Sequence, residues 1–220
     1  MSDGELIRRL ERIDIYNHVL VEFLLVWAKA KPATTWHTAT SFYTEGLPTD
    51  HRTHPQFDEL VAWTKAAGLA YELHDEHIDD KGRTFDRKTG KPTGEIYSAR
   101  YRIAGEPLKT AEDRLTLLAA QDAKWLTKLV EADRTGDDKL LGTCFGFALT
   151  AIQAYVAGTC VPPNQPEIPL ETRAFAHFMV SPDHWQDEVG VAARWSQVVK
   201  ELSPKLYEAS LDYERRRRRS

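Results

Sequence analysis

The hydrophobic pattern opens with a stripe. Leu6, Leu10, Ile13, Asn17, Leu20, Leu24 and Trp27 recur at three- and four-residue steps, which sets them along one face of a helix. The spacing predicts one long helix from Asp3 to Lys31, ended by Pro32. Charges occupy the opposite face as far as His18. Beyond it the segment is apolar nearly all round, so its second half is expected to be buried on several sides. Glu22 alone interrupts the most apolar run, Val19 to Ala28.

Residues 32–54 break this pattern. They are polar, Thr-rich and aromatic, with Thr34-Thr35-Trp36-His37-Thr38 and then Ser41-Phe42-Tyr43, punctuated by Gly46 and Pro48. A structureless loop of about twenty residues is uncommon in a compact domain. The stretch therefore hides a short element or has a function of its own. Pro55 then suits a first helical turn, Phe57, Leu60, Val61 and Thr64 follow at helical spacing, and Gly68 supplies a left-handed stop.

After Gly68 the period changes to two. Tyr71, Leu73, Asp75 and His77 alternate with Ala70, Glu72, His74 and Glu76, which predicts a strand over 69–78. A partner strand is expected over 95–103, where Tyr97, Ala99, Tyr101 and Ile103 share a face. Two turn signals lie between, Asp79-Asp80-Lys81-Gly82 and Asp86-Arg87-Lys88-Thr89-Gly90. A long hairpin with a protruding tip accounts for 69–103, with Leu73, Tyr97 and Tyr101 facing a helical layer.

The remainder reads as helical. Thr110 with Asp113 resembles a capping box, and Leu115, Leu118, Trp125, Leu126 and Leu129 form a stripe that fades over 133–138. A second apolar helix spans about 140–156, interrupted by Gly142 and Gly146 and ended at Gly158. The spacing of those two glycines suits close packing against another helix. Pro162, Pro163, Pro166 and Pro169 make an extended linker. Ser181-Pro182-Asp183 and Ser203-Pro204 are helix starts, and the last helix reaches the C-terminal arginines. The expected class is mainly α (α+β), a helical domain with one small antiparallel hairpin or sheet at about 69–103. No βαβ alternation appears, which disfavours a Rossmann-like crossover.

Composition narrows the classes. A chain of 220 residues fits one domain, here 1–214, followed by a disordered basic tail over 215–220. A mean hydropathy of −0.48, with no apolar run near the roughly 20 residues a bilayer span needs, points to a soluble chain. Met-Ser-Asp-Gly-Glu at the start lacks the basic region of a secretory signal, so a cytoplasmic location is expected. Cys144 and Cys160 read as free thiols. The net charge of −4 hides an asymmetry, because Arg215, Arg216, Arg217, Arg218 and Arg219 are five of the 29 basic residues, against 33 acidic ones. An acidic body with a basic tail is not a nucleic-acid surface spread over a fold, although the arginines themselves suit a polyanion.

Chemistry concentrates in two H-x-x-H pairs, His51/His54 and His74/His77, the second set in acid as His74-Asp75-Glu76-His77. Imidazole and carboxylate are ligand types of Zn²⁺ and similar divalent ions. Strand geometry separates His74 from His77. The sets that share a face are then His74 with Glu76, or Asp75 with His77, joined by His51 or His54 from the preceding loop. His177 and His184 flank a helix start and are expected to pack or cap. The aromatic, hydroxyl-rich stretch around Trp36-His37-Thr38 is a second candidate region, either lining a small-molecule pocket or anchoring its own loop in the core. Nucleophile elbows and phosphate-cradling glycine loops do not occur.

Two classes of function follow. The one the sequence favours is a non-enzymatic, partner-binding protein that uses the hairpin tip and the arginine tail, toward a protein or polyanion. The alternative is a metal-dependent enzyme, most simply a hydrolase, at the His/Asp/Glu cluster.

Overall fold

The computed structural model describes residues 1–39, 55–78, 83–95 and 112–217. Helix α1 (Asp3–Leu10) starts from a reciprocal cap, in which the Glu5 amide donates to Ser2 Oγ and the Ser2 amide donates to the Glu5 carboxylate. It does not run on to Lys31. After a turn the chain restarts as α2 (Asn17–Trp27), and the cause of the break is tertiary. The Asn17 side chain donates to the Leu206 carbonyl at 3.2 Å and to Ser210 Oγ at 2.6 Å, while Ser203 Oγ donates to the Glu11 carboxylate at 2.6 Å. These distant partners outweigh a few helical hydrogen bonds. Helix α2, the second half of the expected long helix, is buried as its composition predicts, from Val19 to Val21 and from Phe23 to Val26.

The elements that follow are β1 (Ala33–Ala39), α3 (Pro55–Ala66), β2 (Ala70–Ile78), β3 (Arg83–Asp86), β4 (Pro92–Glu95) and β5 (Glu112–Ala120). The C-terminal half holds α4 (Ala123–Thr135), α5 (Asp138–Cys144), α6 (Leu149–Val156), α7 (Leu170–Arg173), α8 (Trp185–Leu202) and α9 (Pro204–Arg217). The molecule is mixed α+β, and its sheet is larger than the hairpin expected at 69–103. Five antiparallel strands lie in the order β1-β5-β2-β3-β4. Strand β2 falls where the two-residue period puts it. Its main partner is β5, paired along all nine of its residues, with β3 on the other edge at Glu76 to Ile78. Of the expected partner strand, residues 96–103, with Tyr97 and Tyr101, lie outside the described residues. Leu73 pairs with Leu117 on the helix-covered face but is itself 47% exposed.

Strand β5 replaces the first half of the helix expected from Thr110. It is an inner strand of the sheet, between β1 and β2, and both of its faces are covered. Leu117 and Ala119 enter the core formed with α1, α2, α3, α8 and α9, while Leu118 and Ala120 pack with Leu129 and Cys144 under α4 and α5. A strand buried on both sides shows no alternation, so its apolar run imitates a helical stripe. Asp122, whose side chain accepts from the Trp125 amide at 2.9 Å, starts the helix that does follow.

The apolar segment at 140–156 is likewise two helices. Gly146 has a positive φ of 72°, and a Cβ there would stand 3.0 Å from Pro32 Cδ. Gly142 faces Ile152 so closely that a Cβ would stand 2.9 Å from its Cγ1, which is the close packing the glycine spacing suggests. Ser203 Oγ accepts from the Leu206 amide and starts α9 as expected. That helix continues through Arg217, so three of the five arginines are helical rather than part of a disordered tail; Arg218 and Arg219 lie outside the described residues.

Candidate functional site

The two faces of the sheet differ in chemistry. On the α4 side, pairing sets His37, Thr116 and His74 in one row across β1, β5 and β2, with Arg114 opposite Glu76 in the next. Above the β1 edge, between this face, α2 and the α5–α6 pair, lies a cavity of about 520 Å³. That volume falls within the range of small-molecule sites.

One wall holds a buried ion pair. Lys29 adopts a left-handed φ of 59°, which ends α2, and the amides of Ala30 and Lys31 both donate back to the Leu25 carbonyl. This turn brings Lys31 back against Glu22, and the two side chains pair at 3% and 16% exposure. The Lys31 Nζ also lies 5.3, 5.5 and 5.0 Å from the ring centroids of Phe145, Phe147 and Trp195. The left-handed Gly146 puts the two phenylalanines on either side of the break, and Trp195 is pinned by its Nε1, which donates to the Ala30 carbonyl at 3.2 Å. Burial pushes the Lys31 amine down to about 7. The Glu22 carboxylate and the ring faces oppose that and favour the ammonium.

The floor is the sheet. Thr35 Oγ1, Thr116 Oγ1 and Arg114 Nε are buried without a hydrogen-bond partner among the described residues, and all three residues line the cavity. Arg114 spends its Nη2 on Glu76, at 3.1 Å, and Thr93 Oγ1 donates to the same carboxylate at 2.7 Å. Beside this floor His74 is gripped by acids. Its Nε2 lies 2.9 Å from Glu72, and its Nδ1 lies 3.5 Å from Asp133, an ion-pair distance that closes no hydrogen bond. Burial works against its charged form, but Asp133, Glu72 and Glu76 outweigh it and raise the His74 pKa.

Three imidazoles at the rim behave oppositely. His18 stacks on Tyr16 and meets the edge of His177, with centroids 5.7 and 6.0 Å away. Burial of the rings lowers His18, lowers His37 with help from Arg114, and pushes His177 to about 4, where His18 and Lys31 add to the effect. An unfolded chain takes up these protons near 6.5. The unfolded state therefore binds more protons than the native state between about pH 6.5 and 4, and stability falls on acidification through that window. His74, with its raised pKa, has the reverse sign: its contribution is present below 6.5 and fades as the pH rises through its folded value. We expect His177→Gln to flatten the acid limb in urea titrations at pH 7 and pH 5. Parallel losses in variant and wild type would mean that His177 is not held neutral.

The metal candidates do not assemble. His74 and Glu76 share the α4 face but are engaged by Asp133, Glu72 and Arg114, while Asp75 pairs with Arg87 at 3.3 Å. His77 lies on the opposite face of β2, as strand parity requires. His51 and His54 lie outside the described residues, and among the described residues no group of three His, Cys, Asp or Glu side chains could hold a metal. The second candidate region divides by face. Thr34, Thr35 and His37 line the cavity, and Trp36 packs on Phe57 with centroids 5.5 Å apart. His184 ends up exposed at the start of α8, where its amide donates to Ser181 Oγ. Cys144 and Cys160 are free thiols.

Lys31, Glu22 and Arg114 are the residues that sequence reasoning passes over. Glu22 did leave a signal, as a lone carboxylate inside an apolar run demands a cation once buried. No helix among the described residues is long and apolar enough to cross a membrane. Comparison with protein-family models, with curated proteins and with solved structures found no match.

Proposed function

We propose that this protein binds a small organic acid in the cavity between the sheet, α2 and the α5–α6 pair. One observation supports the reading most: three buried polar atoms without partners among the described residues, Thr35 Oγ1, Thr116 Oγ1 and Arg114 Nε, belong to residues that line the same space. Buried polar atoms are nearly always satisfied, so a set left open around one cavity marks where a ligand supplies the missing bonds. Arg114 Nε–H can only donate, and hydroxyls complement an acceptor oxygen equally well. A carboxylate meets that requirement. The rim imidazoles, kept neutral in part by neighbouring positive charge, add to the preference for an anion. Phe145, Phe147 and Ile152 offer the apolar body of the ligand a surface.

The test is a thermal-shift screen of small carboxylic acids followed by calorimetry on the hits. Thr116→Val keeps the shape and removes one open hydroxyl. We expect it to fold with unchanged stability and to bind about tenfold more weakly, the loss of roughly 1.4 kcal/mol that one hydrogen bond represents. A screen without hits, or a valine variant that binds as tightly as wild type, rules this reading out.

A second reading, docking of a polyanion, keeps one observation in its favour. Arg215, Arg216 and Arg217 crowd the exposed last turn of α9. Ending the chain after Glu214 should abolish salt-sensitive retention on heparin while costing under about 1 kcal/mol, because of the pairs it removes Arg215–Asp212 is exposed on both sides and Arg217–Glu214 is 3.9 Å long with Arg217 68% exposed. Retention that survives truncation would exclude the arginines as the docking site.

A further inference from the structure

We infer that Lys31 is a nucleophilic lysine that forms an imine with a small aldehyde or ketone bearing a carboxylate, bound in the cavity. The inference rests on the cavity being an organic-acid site and adds the chemistry of the ligand's other end. Both members of the Lys31–Glu22 pair line the cavity wall, so the pair does more than tie α2 to β1. A tie alone needs no access to the cavity. The Lys31 side chain is only 3% exposed, a burial that disfavours its charged form, and the Glu22 carboxylate in contact with the amine is placed to accept the proton.

The same surroundings suit every stage. Glu22 accepts the proton from the Lys31 ammonium. The free Nζ electron pair attacks the carbonyl carbon, a C–N bond forms, and the carbonyl π pair moves to oxygen, which takes the proton back from Glu22. The second amine proton passes out through Glu22 and the carbinolamine hydroxyl leaves as water once it is protonated, giving the iminium. Amine plus carbonyl gives imine plus water, with no change in oxidation state. The ammonium at the start and the iminium at the end carry their positive charge on the same nitrogen, so Glu22 and the three ring faces that stabilise the one stabilise the other as well. His18 lies four residues before Glu22 on α2, with His177 against its edge, and all three residues line the cavity.

Glyoxylate is the probe, an aldehyde and a carboxylate in one small molecule. Full-length protein is incubated with glyoxylate, reduced with sodium cyanoborohydride and mapped by peptide mass spectrometry. The expected result is carboxymethylation of Lys31 ahead of every exposed lysine, with a pH midpoint near 7 rather than near the ordinary lysine value of about 10.4. Excess glycolate, which has the acid but no carbonyl, should protect it. Lys31→Arg must lose the adduct at that peptide, and Glu22→Gln should slow labelling at pH 7 at least tenfold. Labelling spread over surface lysines, or an unmodified Lys31 peptide in wild type, overturns the inference whatever the variants do. If glycolate still raises the melting temperature of wild type while Lys31 stays unmodified, the lysine chemistry fails alone. If glycolate and the other acids are also without effect, the binding reading fails with it.

Discussion

Lys31→Met should destabilise the protein by about 3–5 kcal/mol, the range for a buried ion pair that loses one partner. The reason is less the attraction lost than the carboxylate left behind. Glu22 is only 16% exposed, and it pairs with the Lys31 ammonium. With methionine in place, the carboxylate borders Phe145, Phe147 and Trp195 without a counter-charge. The double variant Glu22→Leu/Lys31→Met should recover most of the loss, since an apolar pair of similar volume fits an aromatic box. Urea unfolding of the two single variants and the double variant gives the coupling directly. Acidification should narrow the gap between Lys31→Met and wild type, because a protonated carboxyl costs less to leave without a cation. A single variant within 1 kcal/mol of wild type would show that water, rather than the rings, solvates this pair.

This pair also shows what the chain discloses and what it withholds. Strand β2 is legible because only one kind of period fits Ala70 to Ile78, and α9 because Ser203-Pro204 is local chemistry that needs no distant partner. The buried half of α2 is legible for the same local reason. Misreadings arise where tertiary structure overrides local pattern. Leu115 and Leu118 look helical because covering both faces of β5 removes the alternation that identifies a strand. The stripe from Leu6 to Trp27 continues across the α1–α2 break, but Asn17 and Glu11 have partners on Ser210, Leu206 and Ser203, nearly two hundred residues away.

The site follows the same logic. The Thr-rich stretch carries visible hydroxyls and aromatics, so a pocket lining could be suggested from it, and strand parity now assigns Thr35 and His37 to the cavity and Trp36 to the core. Lys31 and Arg114 could not be found that way. Lys31 looks like the charged end of a helix, and its burial depends on Phe145, Phe147 and Trp195, which arrive from beyond position 140. The His/acid run around His74 drew the eye by density alone. Three of its members are engaged elsewhere, His74 by Glu72 and Asp133, Asp75 by Arg87 and Glu76 by Arg114, which is the ordinary fate of charges on a sheet surface.

Arg114 joins the stability of the sheet to the proposed ligand site, and one set of variants separates the two roles. Its Nη2 donates to Glu76 at 3.1 Å across the β5–β2 pairing, in a setting where the side chains are 14% and 8% exposed. Arg114→Met leaves Glu76 with the Thr93 hydroxyl but no cation, and a loss of about 3–5 kcal/mol is expected. The same change removes the Nε–H that awaits an acceptor over the cavity, so binding of small carboxylates should also be lost. Pairing it with Glu76→Leu removes the stranded charge and should return most of the stability, because the next position along this face of β2 is the buried Ile78. Carboxylate binding should not return with it. Arg114→Lys keeps a cation for Glu76 but not the planar fork, so it should retain more stability than affinity. Calorimetry on the double variant decides the matter: recovered stability with recovered binding would place the anion's anchor elsewhere, whereas recovered stability without binding identifies Arg114 Nε as the group that holds it.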